Sequence, residues 1–203
     1  MIKPVNRTRA RRNVILLAAL FALPVVIAYA LYFGGWRPAS FGNHGELVQP
    51  ARPIADVALT LLDGKTLRFN ELRGKWTLLT FSPAECLSSC ERNLVKIRQV
   101  IAAQDQNAER VQSIFVVKDA KMRDWLKYAI KDYPGMRAVI GPPDAVEALA
   151  RQFTLTVGSP LDNLNRIYLV DPLGNFMMSY PADADGNGIR KDLARLLRVS
   201  RIG

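Results

Sequence analysis

The hydrophobic pattern of this 203-residue chain changes character twice. Residues 13 to 33, NVILLAALFALPVVIAYALYF, contain no charged side chain. About 20 apolar residues rising ~1.5 Å each cover the roughly 30 Å hydrocarbon core of a bilayer, so the run predicts one transmembrane helix. It is longer than the roughly 7–15 apolar residues of a signal peptide. The run therefore favours an uncleaved signal-anchor, although AYALYFGGW offers a weak cleavage site. Pro24 would bend such a helix rather than end it. Residues 34–55 are rich in Gly and Pro and follow no clean period, which predicts a linker.

From residue 56 the pattern becomes that of a packed domain running to 203. Asp63-Gly64 stands between two short alternating runs, a hairpin signal. WTLLTFS (76–82) and VQSIFVV (111–117) have the length and composition of buried strands. Between them Leu94, Ile97, Val100 and Ile101 mark one face of a helix. A helix over 120–133 ends at Pro134-Gly135, and RAVIG (137–141) follows as a short strand. Asp144 is placed to cap a helix through AVEALARQF. Residues 166–181 read as strand, turn at Asp171–Gly174, and strand. Leu193, Leu196 and Leu197 then mark a last helix. Strands alternating with helices, then a hairpin and a helix, predict a three-layer α/β sandwich.

Charge adds an orientation. Half of the formal net charge of +10 comes from Lys3, Arg7, Arg9, Arg11 and Arg12, within the flank 1–12, and only Arg37 lies close behind the apolar run. The positive-inside rule keeps that flank in the cytoplasm and exports the domain. The destination is the periplasm if the membrane is a bacterial inner membrane, and a mitochondrial inner membrane obeys the same logic. The rest of the charge forms no basic stripe beside aromatics, so no nucleic-acid partner is expected. No phosphate-cradling glycine loop and no hydrolytic triad is present, and nothing points to flavin or nicotinamide.

An exported domain can have its thiols oxidised, which gives weight to the two cysteines, Cys86 and Cys90. They fall at the expected start of the first main helix, after Ser82-Pro83, which suits a chain reversal out of the strand. Positions i and i+4 share a helix face, with Cα atoms about 6 Å apart, inside the range for a disulfide. A helix N-terminus favours thiolate, while Glu85 and Glu91 oppose it. Packing, cross-linking, redox exchange and metal binding all remain open uses. A bridge closing so short a loop stabilises little, which favours chemistry over a staple.

Other signals are weaker. His44, the single histidine, falls in the expected linker. Met177-Met178 cannot readily both face one ion from adjacent strand positions. DADGNG (183–188) matches half of a calcium loop, but Ala194 stands where the bidentate glutamate belongs.

LRGKWTLLTFSPAECLSSCERNL together with DNLNRIYLVDPLGNF resembles the Sco/SenC family, membrane-anchored thioredoxin-like proteins of cytochrome c oxidase assembly. The resemblance covers roughly residues 56–200. It implies a thioredoxin-like three-layer α/β/α sandwich with an N-terminal hairpin, preceded by the transmembrane helix. It also implies a partner such as cytochrome c oxidase subunit II or another assembly factor, and a thiol reductant that the sequence does not name. In the family two thiolates and a histidine hold copper. Here Glu91 stands in place of the family's proline after the second cysteine, and Asn163 in place of the histidine. Cys86 and Cys90 alone still suit Cu(I), which accepts soft ligands at low coordination. The expected roles are attack by Cys86 and resolution by Cys90. A non-catalytic docking scaffold and a general periplasmic thiol-disulfide reductase are the alternatives.

Overall fold

The computed structural model describes residues 7–35, 42–82, 88–117, 123–131, 133, 135–162, 165–200 and 202. The chain divides into two compact units, Met1–Gly42 and Asn43–Gly203.

The first unit holds helix α1, Arg7–Phe33. Leu and Ala are strong helix formers, and beyond Arg12 the helix is apolar all round rather than on one stripe. Its stretch Arg11–Phe33 is long and apolar enough to cross a membrane. Leu16, Leu20, Phe21 and Tyr32 are all exposed along it.

The second unit opens with strand β1, Glu46–Pro53, then the hairpin strands β2, Ala58–Thr60, and β3, Thr66–Arg68. Next come β4, Trp76–Ser82; α2, Ser88–Ala102; β5, Val111–Val117; and α3, Arg123–Ile130. The chain continues through β6, Met136–Ile140; α4, Pro143–Gln152; β7, Ile167–Val170; β8, Asn175–Tyr180; and α5, Gly186–Val199.

The main sheet has the order β1-β8-β7-β4-β5-β6. β4, β5 and β6 run parallel, while β7, β8 and β1 run antiparallel. β4 is buried along its whole length, and its alternation sends successive side chains to opposite faces. Leu78 packs under α2 and α5 with Leu94, Ile97, Leu193 and Leu197. Leu79 and Phe81 face the other layer, where Leu59, Leu67, Val146, Leu149 and Phe153 cover them. The sandwich expected from the sequence is therefore formed, with the β2–β3 hairpin and α4 on one face and α2, α3 and α5 on the other.

Three local expectations change. Most of the span 45–55, read as linker, belongs to the domain, because β1 pairs with β8 through Glu46↔Ser179, Leu47↔Met178 and Arg52↔Phe176. Its prolines sit on an edge strand, where a missing N–H costs nothing, and a register shift between Leu47 and Arg52 erases the alternation a strand normally shows. Asp144 does not cap α4; Pro142 occupies that position and Pro143 starts the helix, its fixed φ being already helical. Of the helix expected over 120–133, Arg123–Ile130 is helical, and 120–122 lie outside the described residues.

Candidate functional site

β4 ends at Ser82, and α2 begins six residues later at Ser88. Cys90, in the first turn of α2, is fully buried and disulfide-bonded. The chain's other cysteine, Cys86, lies outside the described residues. No described cysteine is free. The Ser82 hydroxyl, itself buried, donates to the Cys90 sulfur at 3.2 Å.

Three further hydrogen bonds bring the loop before β7 to the same place. Asn93, one turn beyond Cys90 and buried, donates its side-chain amide to the Asn165 carbonyl. The Asn165 N–H donates to the Phe81 carbonyl at 3.2 Å, and Thr80 Oγ1 donates to the Arg166 carbonyl at 2.9 Å. Asn165 holds φ at +70°, a left-handed conformation that asparagine tolerates better than most residues. The segment flanking Asn163 is thereby fixed against the end of β4 and the first turns of α2. Asn163 itself lies outside the described residues.

Arg166 extends this end of the sheet towards β1. Its side chain is only 10% exposed and donates to Glu46 and, at 3.0 Å, to Ser179 Oγ. The ion pair spans β7, β8 and β1, so the first strand of the domain is locked beside the loop.

His44 is not in a free linker. Its Nδ1 lies 3.0 Å from Asp192 Oδ1, and the backbone N–H groups of His44 and Gly45 donate to Asp192 Oδ2 at 2.8 and 3.0 Å. The Tyr180 hydroxyl lies 3.3 Å from the same oxygen. Gly188 of α5 gives the ring room, since a Cβ there would come within 2.9 Å of His44 Cβ. His44 leads into β1, three strands from β4, on the order of 14 Å of sheet at ~4.8 Å per strand. Its part is to fasten the start of the domain to α5.

Met178 is core, its sulfur 2.9 Å from the Tyr180 hydroxyl, and Met177 is half-buried. The DADGNG segment forms the entry to α5, with Asp185 Oδ1 accepting from the Asn187 N–H at 3.2 Å. Lys96 Nζ takes the Ala182 and Ala184 carbonyls at 3.0 and 2.8 Å, placing a cation where a calcium ion would need oxygen donors. Burial pushes the Lys96 ammonium down from its ordinary range, against the opposing pull of Asp183 and Asp185.

Among the described residues no cluster of three His, Cys, Asp or Glu could hold a metal. With Cys90 in a disulfide and no histidine near it, the donor set does not match a thiolate–imidazole copper site. Ser82, Asn93 and Arg166 are the site residues that sequence patterns did not single out as functional. Their partners lie 8, 72 and 120 positions away.

The protein family described as "Transmembrane-like, thioredoxin-like, C-terminal domain" matches residues 76–200. Protein SCO1 homolog 1, mitochondrial, of Arabidopsis thaliana is 24% identical over 152 residues, covering 68% of this chain and 45% of that protein. The chain thus spans less than half the length of that relative. Among solved structures, Arabidopsis thaliana ScoI with copper bound superposes with a TM-score of 0.61 at 22% identity, covering 72% of this chain and 98% of that one. BsSco, a member of the Sco family of cytochrome c oxidase assembly proteins for which a disulfide switch was identified, gives a TM-score of 0.58 at 18% identity, covering 74% and 96%. These structural likenesses are likenesses of fold.

Proposed function

The chain belongs to the transmembrane-like, thioredoxin-like family, and from its similarity to SCO1 homologues we propose that it is a Sco-like, membrane-anchored thiol–disulfide protein acting in cytochrome c oxidase assembly. The observation that carries this reading is the state and place of Cys90. It is a disulfide-bonded sulfur in the first turn of a helix, at the sheet end where Asn93 and Thr80 secure the loop before β7. A bridge between residues only four apart constrains the unfolded chain little, so stability does not explain it.

The division of labour follows from burial. A partner protein cannot reach Cys90, which has no exposed surface. Cys86 therefore makes the first contact. Its thiolate attacks one sulfur of a partner disulfide, forming a mixed disulfide and releasing the other partner sulfur as thiolate. The Cys90 thiolate then attacks the Cys86 sulfur and displaces the second partner thiolate. The partner gains two electrons, and the pair closes as the disulfide. A separate thiol reductant reopens it. Copper binding would require the reduced pair, since thiolates are the ligands it takes.

Anchoring rests on Arg11–Phe33, and the basic residues before it favour a cytoplasmic N-terminus with the domain on the far side. The partner in this reading is oxidase subunit II or another assembly factor. Cys86→Ser and Cys90→Ser, each replacing the chromosomal copy, test the assignment through oxidase activity and the thiol state of that partner. Both substitutions should lower activity, and Cys90→Ser should accumulate the mixed disulfide. Full activity with both variants would point instead to a docking scaffold.

A further inference from the structure

We propose that Ser82 is a catalytic hydrogen-bond donor, stabilising the Cys90 sulfur as thiolate when the pair opens and when it resolves; this rests on the thiol-exchange reading above. β4 alternates, so Ser82 points to the same face as Trp76 and Leu78, the face on which α2 lies. Its hydroxyl is buried at the very end of the strand, where water is excluded. A buried hydroxyl needs a partner, and here it has the Cys90 sulfur at 3.2 Å.

The chemistry makes that contact unequal between the two redox states. A sulfur in a disulfide is a weak acceptor, whereas a thiolate is a strong one. Burial of Cys90 in an apolar core works against the thiolate, with Leu94 and Phe115 among its neighbours in that core. A hydroxyl aimed at the sulfur works in the opposite direction, because hydrogen bonding to the charged form favours it.

The donor therefore acts at two balanced steps. In regeneration, a reductant thiolate attacks the Cys86 sulfur, the Cys86–Cys90 bond breaks, and the electron pair stays on Cys90, whose thiolate accepts the Ser82 hydrogen bond. A second reductant thiolate then attacks the reductant's sulfur in the mixed disulfide and frees Cys86. In resolution, the Cys90 thiolate attacks the Cys86 sulfur, the Cys86–partner bond breaks, and the partner thiolate leaves and takes a proton from solvent. Without Ser82 the dithiol is less favoured and Cys90 is a poorer leaving group and a scarcer nucleophile.

The test uses the full chain in detergent, equilibrated in glutathione buffers of graded potential, with reduced and oxidised forms counted by alkylation and mass. Ser82→Ala should lower the equilibrium constant for reduction about tenfold, which for this two-electron couple is about 30 mV towards more reducing values. Ser82→Gly, also lacking the hydroxyl, should match it, and Ser82→Thr should restore the wild-type value. In a Cys86→Ser background the pH midpoint of the ultraviolet thiolate absorbance of Cys90 should move upward by about one unit on loss of the hydroxyl. A wild-type pair that titrates reversibly, with Ser82→Ala, Ser82→Gly and Ser82→Thr all within twofold of it, overturns the role of Ser82 and leaves the redox pair standing. A wild-type pair that does not titrate at all overturns the thiol-exchange reading itself.

Discussion

The side-chain amide of Asn93 donates to the backbone carbonyl of Asn165, so the helix that carries Cys90 and the loop that carries Asn163 are held as one unit. The two residues are 72 positions apart. In a thioredoxin-like sheet this junction lies at the carboxyl end of β4, where the parallel strands open towards their connections.

Replacing Asn93 with Ala should loosen that junction before it affects the rest. The partly buried Asn165 carbonyl loses the Asn93 hydrogen bond, at a cost of about 1 kcal/mol. Hydrogen exchange should quicken at Asn165 and Arg166 more than in β5, as followed by mass spectrometry. Uniform acceleration across the domain would mean that Asn93 supports the core and not the loop.

Asp192 should prove the most sensitive acidic residue in the domain. It is buried and accepts from the backbone of His44 and Gly45 and from the His44 ring, beside the Tyr180 hydroxyl. Asp192→Ala leaves those donors without a partner and should cost about 3 kcal/mol in denaturant unfolding. Gly188→Ala attacks the same latch from α5 by driving a methyl into His44, and should cost about 1–3 kcal/mol. The two together should cost less than their sum, because both release one contact.

Glu46 neutralises the nearly buried guanidinium of Arg166. Glu46→Ala should destabilise by about 1–2 kcal/mol, tempered because the glutamate side chain is itself half exposed. Glu46→Ala with Arg166→Met should recover part of that loss, since the stranded charge is then removed as well. The four-member cycle of unfolding free energies measures the coupling directly.

Two tyrosines should resist alkali. The Tyr168 phenol is pushed up to about 12, chiefly by burial, with Arg166 opposing and Glu46 adding a little. Burial raises Tyr180 further, assisted by the charge of Asp192 and its hydrogen bond. Between pH about 10, where an unfolded tyrosine ionises, and 12, the unfolded chain has lost these protons and the folded one retains them. Stability is therefore full below that window and falls as pH rises through it. Absorbance at about 295 nm, a wavelength specific to tyrosinate, should show two of the six tyrosines ionising only with unfolding.

What the sequence reveals is what local period encodes. β4 and β5 are seven-residue apolar runs, α2 repeats its apolar residues at helical spacing, and Asp63-Gly64 announces the hairpin. β1 is hidden because Pro50 and Pro53 read as loop and its register shift removes the alternation. His44 looks unattached because its partner, Asp192, stands 148 positions away on the buried face of α5. The pair Cys86 and Cys90 is legible from spacing, but the donor to Cys90 is not. Ser82 reads only as the end of a strand until the fold turns α2 back over it.

Whether the cysteine pair works as a redox couple is read from its midpoint potential. For the full wild-type chain a reversible two-electron transition is expected between about −280 and −180 mV, the range of proteins that exchange disulfides. A pair that stays oxidised below about −300 mV would be a structural bridge and not a redox couple.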